Sequence, residues 1–277
     1  MPKADILSRN NVKVFGSGTQ PMLFAHGFGC DQNMWRFIVP AFSDDYKIVL
    51  FDYVGSGKSD LNAYNAERYS KIDGYADDVL DIVHALDLRD VIFVGHSVSS
   101  MIGALAAIHE PDRFAQLILI GPSPRYINDL PYVGGFERAD IDGLLDMMEK
   151  NYIGWANFLA PAIMKNPDRP ELAEELNASF CSTDPIIARR FAEATFFADN
   201  RADLQRVQVP SLVLQCSDDL IAPFAVGDYV HENLSQSTLH ILSATGHCPH
   251  MSHPEETVAA IKSYLSETAR TGELTPP

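Results

Sequence analysis

The chain has 277 residues, 46% hydrophobic and 21% charged, which suits a folded protein with a sizeable core and excludes a disordered one. Lys and Arg number 21 against 37 Asp and Glu, so the net charge of −16 speaks against nucleic acid and against an anionic membrane surface. No apolar run reaches the ~18 residues of a membrane span, and the opening Met1-Pro2-Lys3-Ala4-Asp5 has no apolar leader.

Residues 12–15, ahead of Gly16-Ser17-Gly18, read as an antiparallel leading strand. Short β-rich runs at 22–25, 47–51, 91–94 and 116–120 read as parallel strands buried on both faces. Between them, 72–86 sets Tyr75, Val79, Ile82, Val83 and Leu86 on one helical face. Residues 98–109, rich in Ala, Met, Leu and Ile, suit a helix packed on a sheet. After Pro122-Ser123-Pro124 the strand runs stop, and helical stretches follow at 141–150, 155–164, 171–181 and 185–197. Alternation then resumes: strand 211–215, helix 225–234, strand 238–242, helix 254–267. The pattern predicts an α/β fold, a mostly parallel central sheet flanked by helices, with its core at 1–124 and 201–268. A helical insertion interrupts it, and residues 269–277 read as a frayed tail. Cys30, Cys181, Cys216 and Cys248 form no C-x-x-C pair; without a leader they are expected as free thiols in the cytoplasm.

The informative segment is Gly95-His96-Ser97-Val98-Ser99, where an apolar strand turns into a helix. A nucleophile elbow needs that context, with small residues on either side of a strained Ser97. Gly95 satisfies this fully, and Ser99 stands where the G-x-S-x-G pattern has its second glycine. The positive end of the following helix favours an oxyanion there. The competing reading of Ser97 is an ordinary helix N-cap.

A serine nucleophile needs a base and an orienting acid. His247, in Gly246-His247-Cys248-Pro249-His250, follows a strand and has the right order after Ser97. Asp219 ends the Val213-to-Asp219 run and precedes Pro223 by four residues, the place the acid usually takes in hydrolases that this pattern resembles, which favours it over Asp218. Two amides are needed for the oxyanion. Val98 follows the nucleophile, and Phe28 lies in His26-Gly27-Phe28-Gly29 after the 22–25 strand. Each piece has a bland alternative: a core histidine, a capping aspartate, a simple turn. Four features in the right order and context together point to serine hydrolase chemistry.

Other patterns are weaker. Gly57-Lys58-Ser59 resembles the end of a phosphate loop, but Asp52 stands where its first glycine belongs and would repel phosphate. His247, His250 and His253 share a spacing of three, but Pro249 and Pro254 break the helix a metal site would need. No metal and no cofactor is expected. Phe28, His96, Phe136, Trp155, Leu159 and Phe196 are the candidates for an apolar substrate pocket.

These residues resemble the α/β-hydrolase superfamily, and within it the RsbQ-like stress-response hydrolases, a group that includes the plant karrikin and strigolactone receptors. The resemblance spans about Leu7 to Leu265. It rests on the motifs quoted above, on Phe51-Asp52-Tyr53-Val54-Gly55-Ser56-Gly57 and on two segments in the insertion. Those are Met147-Met148-Glu149-Lys150-Asn151-Tyr152-Ile153-Gly154-Trp155 and Phe180-Cys181-Ser182-Thr183-Asp184-Pro185. The resemblance implies a four-helix lid over residues 125–200, the Ser97, Asp219, His247 triad and an enclosed apolar pocket. It also implies hydrolysis of a small apolar ester or lactone, and a bacterial stress-signalling role. There the partner would be a PAS-domain phosphatase (RsbP-like) upstream of sigma factor B. The alternative is a ligand-sensing receptor in which slow hydrolysis serves switching.

Overall fold

The computed structural model describes residues 3–273. Seven strands form one sheet: Lys13–Phe15 (β1), Pro21–Ala25 (β2), Lys47–Leu50 (β3), Val91–His96 (β4), Phe114–Ile120 (β5), Ser211–Asp218 (β6) and Ser237–Thr245 (β7). Their spatial order is β1-β3-β2-β4-β5-β6-β7, and only β1 runs antiparallel to its neighbour. Central β2 and β4 are buried at every residue, which explains why they read as continuous apolar runs rather than alternating ones. Edge β1 is exposed throughout.

Alternate strand residues feed two apolar clusters. Leu23, Val49, Phe93, Leu117 and Val213 pack on one face with Asp73–Ala85 (α2) and Val98–His109 (α3), after the N-terminal Lys3–Arg9 (α1). Met22, Ile48, Val94, Ile118 and Leu212 point the other way. Between β5 and β6 lie Arg138–Lys150 (α4), Tyr152–Met164 (α5), Pro170–Ser182 (α6) and Pro185–Phe196 (α7). Their starts are locally specified. Glu137 and Asp140 form a capping box on α4, Asn151 caps α5, α6 opens on Pro170, and Asp184 caps α7. Trp155, Leu159 and Phe180 of this insertion belong to the same cluster as Val94 and Ile118, so the insertion continues the core rather than standing off it. Phe224–Asn233 (α8), Pro249–Ser252 (α9) and Pro254–Glu273 (α10) complete the chain.

The structure differs from the sequence pattern at both ends. α1 has no counterpart in the strand-and-helix reading; its Arg9 pairs with Asp78 and Asp81 of α2. The expectation of a frayed tail from 269 is corrected for 269–273, where α10 continues. Thr268 takes a hydrogen bond from Gln116 of β5 at 2.6 Å, which fastens this turn to the sheet. Residues 274–277 lie outside the described residues. No described helix is long and apolar enough to cross a membrane.

Where β4 meets α3 the backbones touch. A Cβ on Gly95 would lie 2.6 Å from the Ser99 carbonyl oxygen and 2.7 Å from the Phe93 ring. Gly95→Ala should therefore cost about 2 kcal/mol through overpacking. A thermal melt should register a fall of about 4–8 °C; an unchanged midpoint would mean the turn has slack.

Candidate active site

Ser97 occupies the turn between β4 and α3 with φ 58° and ψ −125°, a conformation rare for a residue with a side chain. Its Oγ donates to His247 Nε2 at 2.7 Å. The opposite ring nitrogen, His247 Nδ1, donates to Asp219 Oδ2 at 2.6 Å. This is the neutral tautomer that a general base requires. The other Asp219 oxygen accepts from the Ile221 and Ala222 amides at 2.8 and 3.1 Å, which fixes the carboxylate. Asp218 instead faces outward and pairs with Lys165 at 2.6 Å. All three residues of the Ser97–His247–Asp219 chain are buried.

Further contacts hold this line of bonds in place. His96 Nε2 donates to the His247 carbonyl at 2.7 Å, so one imidazole braces the backbone of the other. Gly121, at φ +58°, backs the His247 ring; a Cβ there would lie 3.0 Å from Cε1. Ser99 uses its hydroxyl in place of the second glycine's bareness. Its Oγ donates to the His26 carbonyl at 2.5 Å and accepts from Tyr53 at 2.9 Å, which ties α3 to the 26–29 loop. His26 is an imidazole inside that loop: Nδ1 donates to Gly27 O and Nε2 accepts from Tyr53 N.

Val98 is the first residue of α3, so its N–H has no acceptor within the helix. Among the described residues the Phe28 N–H likewise meets no protein acceptor. Asp52, the residue that breaks the phosphate-loop pattern, accepts from Gln32 N, Lys58 N and Asn11 Nδ2 and so ties three segments together. The three histidines spaced by three have separate duties. His247 bridges Ser97 and Asp219, His250 packs between His96 and Trp35, and His253 bonds the Ser252 hydroxyl.

A narrow cavity opens on Ser97 and His247. Phe28, His96, Leu159 and Phe196 line it as the sequence suggests. Phe136 and Trp155 do not, and this corrects the expected pocket. The Phe136 backbone pairs with Tyr126 and Asn128, and Tyr126 lines the cavity instead. Trp155 stands behind the wall, its ring 6.1 Å from that of Phe28 and 5.0 Å from that of Phe180. Sequence reasoning also missed Cys30, Thr195 and Cys248 in the lining. Cys30 adjoins a quoted motif and Cys248 lies inside one, so both were within reach; Tyr126 and Thr195 carry no local signal. Burial pushes the Cys30 and Cys248 thiols up, so both stay protonated.

The insertion reaches the His247 loop directly. Its α5 end supplies the Ile163 carbonyl to His247 N at 2.8 Å, and Asn166 donates to Thr245 O at 3.2 Å. A Cβ on Gly246 would lie 2.2 Å from the Met164 carbonyl oxygen.

The alpha/beta hydrolase family pattern matches residues 22–261. The chain belongs to this family. It is an α/β-fold hydrolase related to proteins named as karrikin insensitive 2 receptors and strigolactone esterases. This hydrolase is 38% identical to the Karrikin insensitive 2 receptor CA of Petunia hybrida over 257 residues, 92% of this chain and 95% of that one. It is 38% identical to the Strigolactone esterase RMS3 of Pisum sativum over 264 residues, 95% and 98% of the two chains. The solved structure of olei00960, a hydrolase from Oleispira antarctica, superposes with a TM-score of 0.94 at 46% identity, covering 96% of this chain and 98% of that one.

The buried histidines give the hydrolase a pH signature. Burial lowers His26, His96 and His250 below the ordinary imidazole value of 6.5, His250 to about 3, and neighbouring imidazoles add to this for His96 and His250. A depressed histidine binds fewer protons folded than unfolded, so its stability is complete above pH ~6.5 and is lost as pH falls below that. Asp78, raised by burial, acts in the opposite direction above the ordinary carboxylate value of 3.8. The melting temperature should be nearly flat above pH ~7 and fall steadily from pH ~6.5 to ~4. A flat profile down to pH ~4 would contradict neutral burial of these rings.

Proposed function

We propose that Ser97, His247 and Asp219 hydrolyse a small apolar ester or lactone through an acyl-enzyme. Ser97 Oγ attacks the carbonyl carbon while His247 Nε2 takes its proton, and Asp219 holds the imidazolium that forms. The Phe28 and Val98 amides receive the oxyanion. The tetrahedral centre then expels the alcohol oxygen, which leaves with the proton from His247. Water repeats the sequence on the acyl group and restores Ser97. The observation that carries this reading is the unbroken line of bonds, 2.7 Å from Ser97 to His247 and 2.6 Å from His247 to Asp219. The four helices of the insertion act as a lid that keeps the cavity dry, a reading supported by Leu159, Ile163 and Phe180, which line the cavity together with Ser97.

Ser97→Ala should lower turnover of a phenyl ester about 10⁴-fold or more, and Asp219→Asn should lower it by about 10³- to 10⁴-fold. Unchanged melting temperatures would separate lost chemistry from lost folding. Intact-protein mass spectrometry with candidate lactones should find an acyl adduct on the wild type and none on Ser97→Ala. Undiminished turnover by Ser97→Ala would remove the assignment.

A second reading has an observation of its own. Because the α5 end bonds the His247 loop, a lid displaced by ligand or partner would disturb the base, and an acylated Ser97 would in turn be felt by the lid. This supports a ligand sensor with slow hydrolysis, as do relatives named as receptors. In that role the protein works in the cytoplasm as an RsbQ-like member of a bacterial stress pathway, with a PAS-domain phosphatase upstream of sigma factor B. Four cysteines without a disulfide fit that compartment. Pull-down of the phosphatase should rise with an acylating lactone and lose that dependence in Ser97→Ala. Fast turnover with ligand-independent or absent capture would leave the enzyme reading alone.

A further inference from the structure

Helix α5 ends in a corner that lies outside the cavity. At its C-cap Lys165 takes φ 49° and ψ 28°, the left-handed region that glycine most often fills at a helix end. A lysine there carries strain, and its side chain has a use: Nζ pairs at 2.6 Å with Asp218, the residue before Asp219. The same turn brings Asn166 back to the end of α5. Asn166 Nδ2 donates to the Met164 carbonyl and, at 3.2 Å, to the Thr245 carbonyl at the end of β7. Its Oδ1 accepts from Arg169 at 2.9 Å. The reversed amide would set an oxygen against two carbonyls and a nitrogen donor against a guanidinium, so the partners fix its orientation. Three consecutive residues leading into the base are held in this way. Asn166 holds the Thr245 carbonyl, the Asp218 carbonyl holds Gly246 N at 2.8 Å, and the Ile163 carbonyl holds His247 N at 2.8 Å. Of these three bonds only the first is made by a side chain. Neither Lys165 nor Asn166 lines the cavity that holds Ser97.

The His247 ring must keep two short bonds at once, 2.7 Å to Ser97 and 2.6 Å to Asp219. A misplacement of about 1 Å, even one caused far from the chemistry, can cost about 10²-fold in rate. We infer that Asn166 is a positioning residue for hydrolysis: its amide joins the end of α5 to the His247 loop and so sets the imidazole between Ser97 and Asp219. The inference rests on the Ser97–His247–Asp219 reading and deepens it. An amide suits this place because one nitrogen gives two N–H donors to two carbonyl oxygens that would otherwise repel. A carboxylate of the same shape has no donor. It would face both carbonyls with like charge, yet gain Arg169 as a counter-ion. Asn166→Asp therefore reverses the contact with the His247 loop while strengthening the one within the insertion.

The test compares Asn166→Asp and Asn166→Ala with Asn177→Ala in the full-length protein. Asn177 lies on α6 and bonds Asn157 of α5 at 2.7 Å, so its loss loosens the same helix pair while every bond to the His247 loop stays. With phenyl acetate as substrate, kcat should fall about tenfold in Asn166→Ala and further in Asn166→Asp, with KM held within about threefold. Asn177→Ala should keep kcat within about twofold of wild type. Melting temperatures separate lost folding from lost positioning, and Asn166→Ala serves if the charged variant does not fold. A second arm needs no turnover. The proton between His247 Nδ1 and Asp219 gives a low-field resonance in proton NMR, identified by its loss in His247→Ala. It should move or broaden in both Asn166 variants and stay in place in Asn177→Ala. A wild-type kcat in both Asn166 variants with the resonance unmoved would overturn the positioning role and leave Asn166 a cap on α5. An equal fall in Asn177→Ala would overturn it too, since any loosening of the insertion would then suffice. Absence of hydrolysis in the wild type would count against the hydrolase reading instead, and the resonance would still decide whether Asn166 places the ring.

Discussion

At the end of β4 the chain has almost no room, and the rest of the site is arranged around that crowding. The strand must give way to α3 within one residue, so the Gly95 and Ser99 backbones nearly touch across the turn. Ser97 absorbs the reversal at φ 58° and is left with its hydroxyl clear of the sheet at the head of a helix. Its position is thereby set by backbone sterics rather than by side-chain contacts. The other parts are brought to it. β5 ends at Ile120, where Gly121 gives the His247 ring space; β6 delivers Asp219; the loop after β7 delivers His247. Parallel strands in one sheet end on one edge, so residues distant in sequence meet without any long excursion of chain.

The insertion is joined to this edge. Its side chains share an apolar cluster with one face of the sheet, and its α5 end is bonded to the loop that carries His247. The insertion and the His247 loop are therefore mechanically continuous. Across the opposite side, Ser179 of α6 donates to the Gly29 carbonyl in the loop that holds Phe28. Both the His247 loop and the Phe28 loop are thus anchored partly in the insertion.

Much of this was legible in the sequence, for physical reasons that differ by element. Both-face burial wrote β2 and β4 as unbroken apolar runs, and cap residues marked the helices of the insertion. Gly95, Ser97, Asp219 and His247 could be picked out because each has to satisfy a local backbone demand as well as a chemical one. Where the demand is purely tertiary the sequence is silent. Tyr126 faces the cavity because its backbone pairs with that of Phe136, a contact ten residues apart with no periodic signature. Trp155 and Leu159 share a helix face, yet Phe28 and Phe180 stand between the indole and the cavity, and no spacing rule encodes that. α1 was missed because its seven residues are too few to show a periodic stripe: Ile6 reaches the apolar cluster and Arg9 pairs with Asp78 and Asp81 of α2. The end of α10 was misjudged because Gln116, on a distant strand, supplies its fastening.

Arg36, beside the Phe28 loop, and Glu175, on α6, meet through two parallel hydrogen bonds of 2.6 and 2.5 Å, with both side chains about one-third exposed. A charge pair placed at a water-lapped seam is weakened by dissolved ions, whereas the apolar contacts beneath it are tightened by the salts that salt proteins out. The join between the insertion and the rest of the chain therefore contains two fastenings with opposite responses to brine. Ionic strength shifts the balance between the two, loosening the ion pair while tightening the apolar contacts.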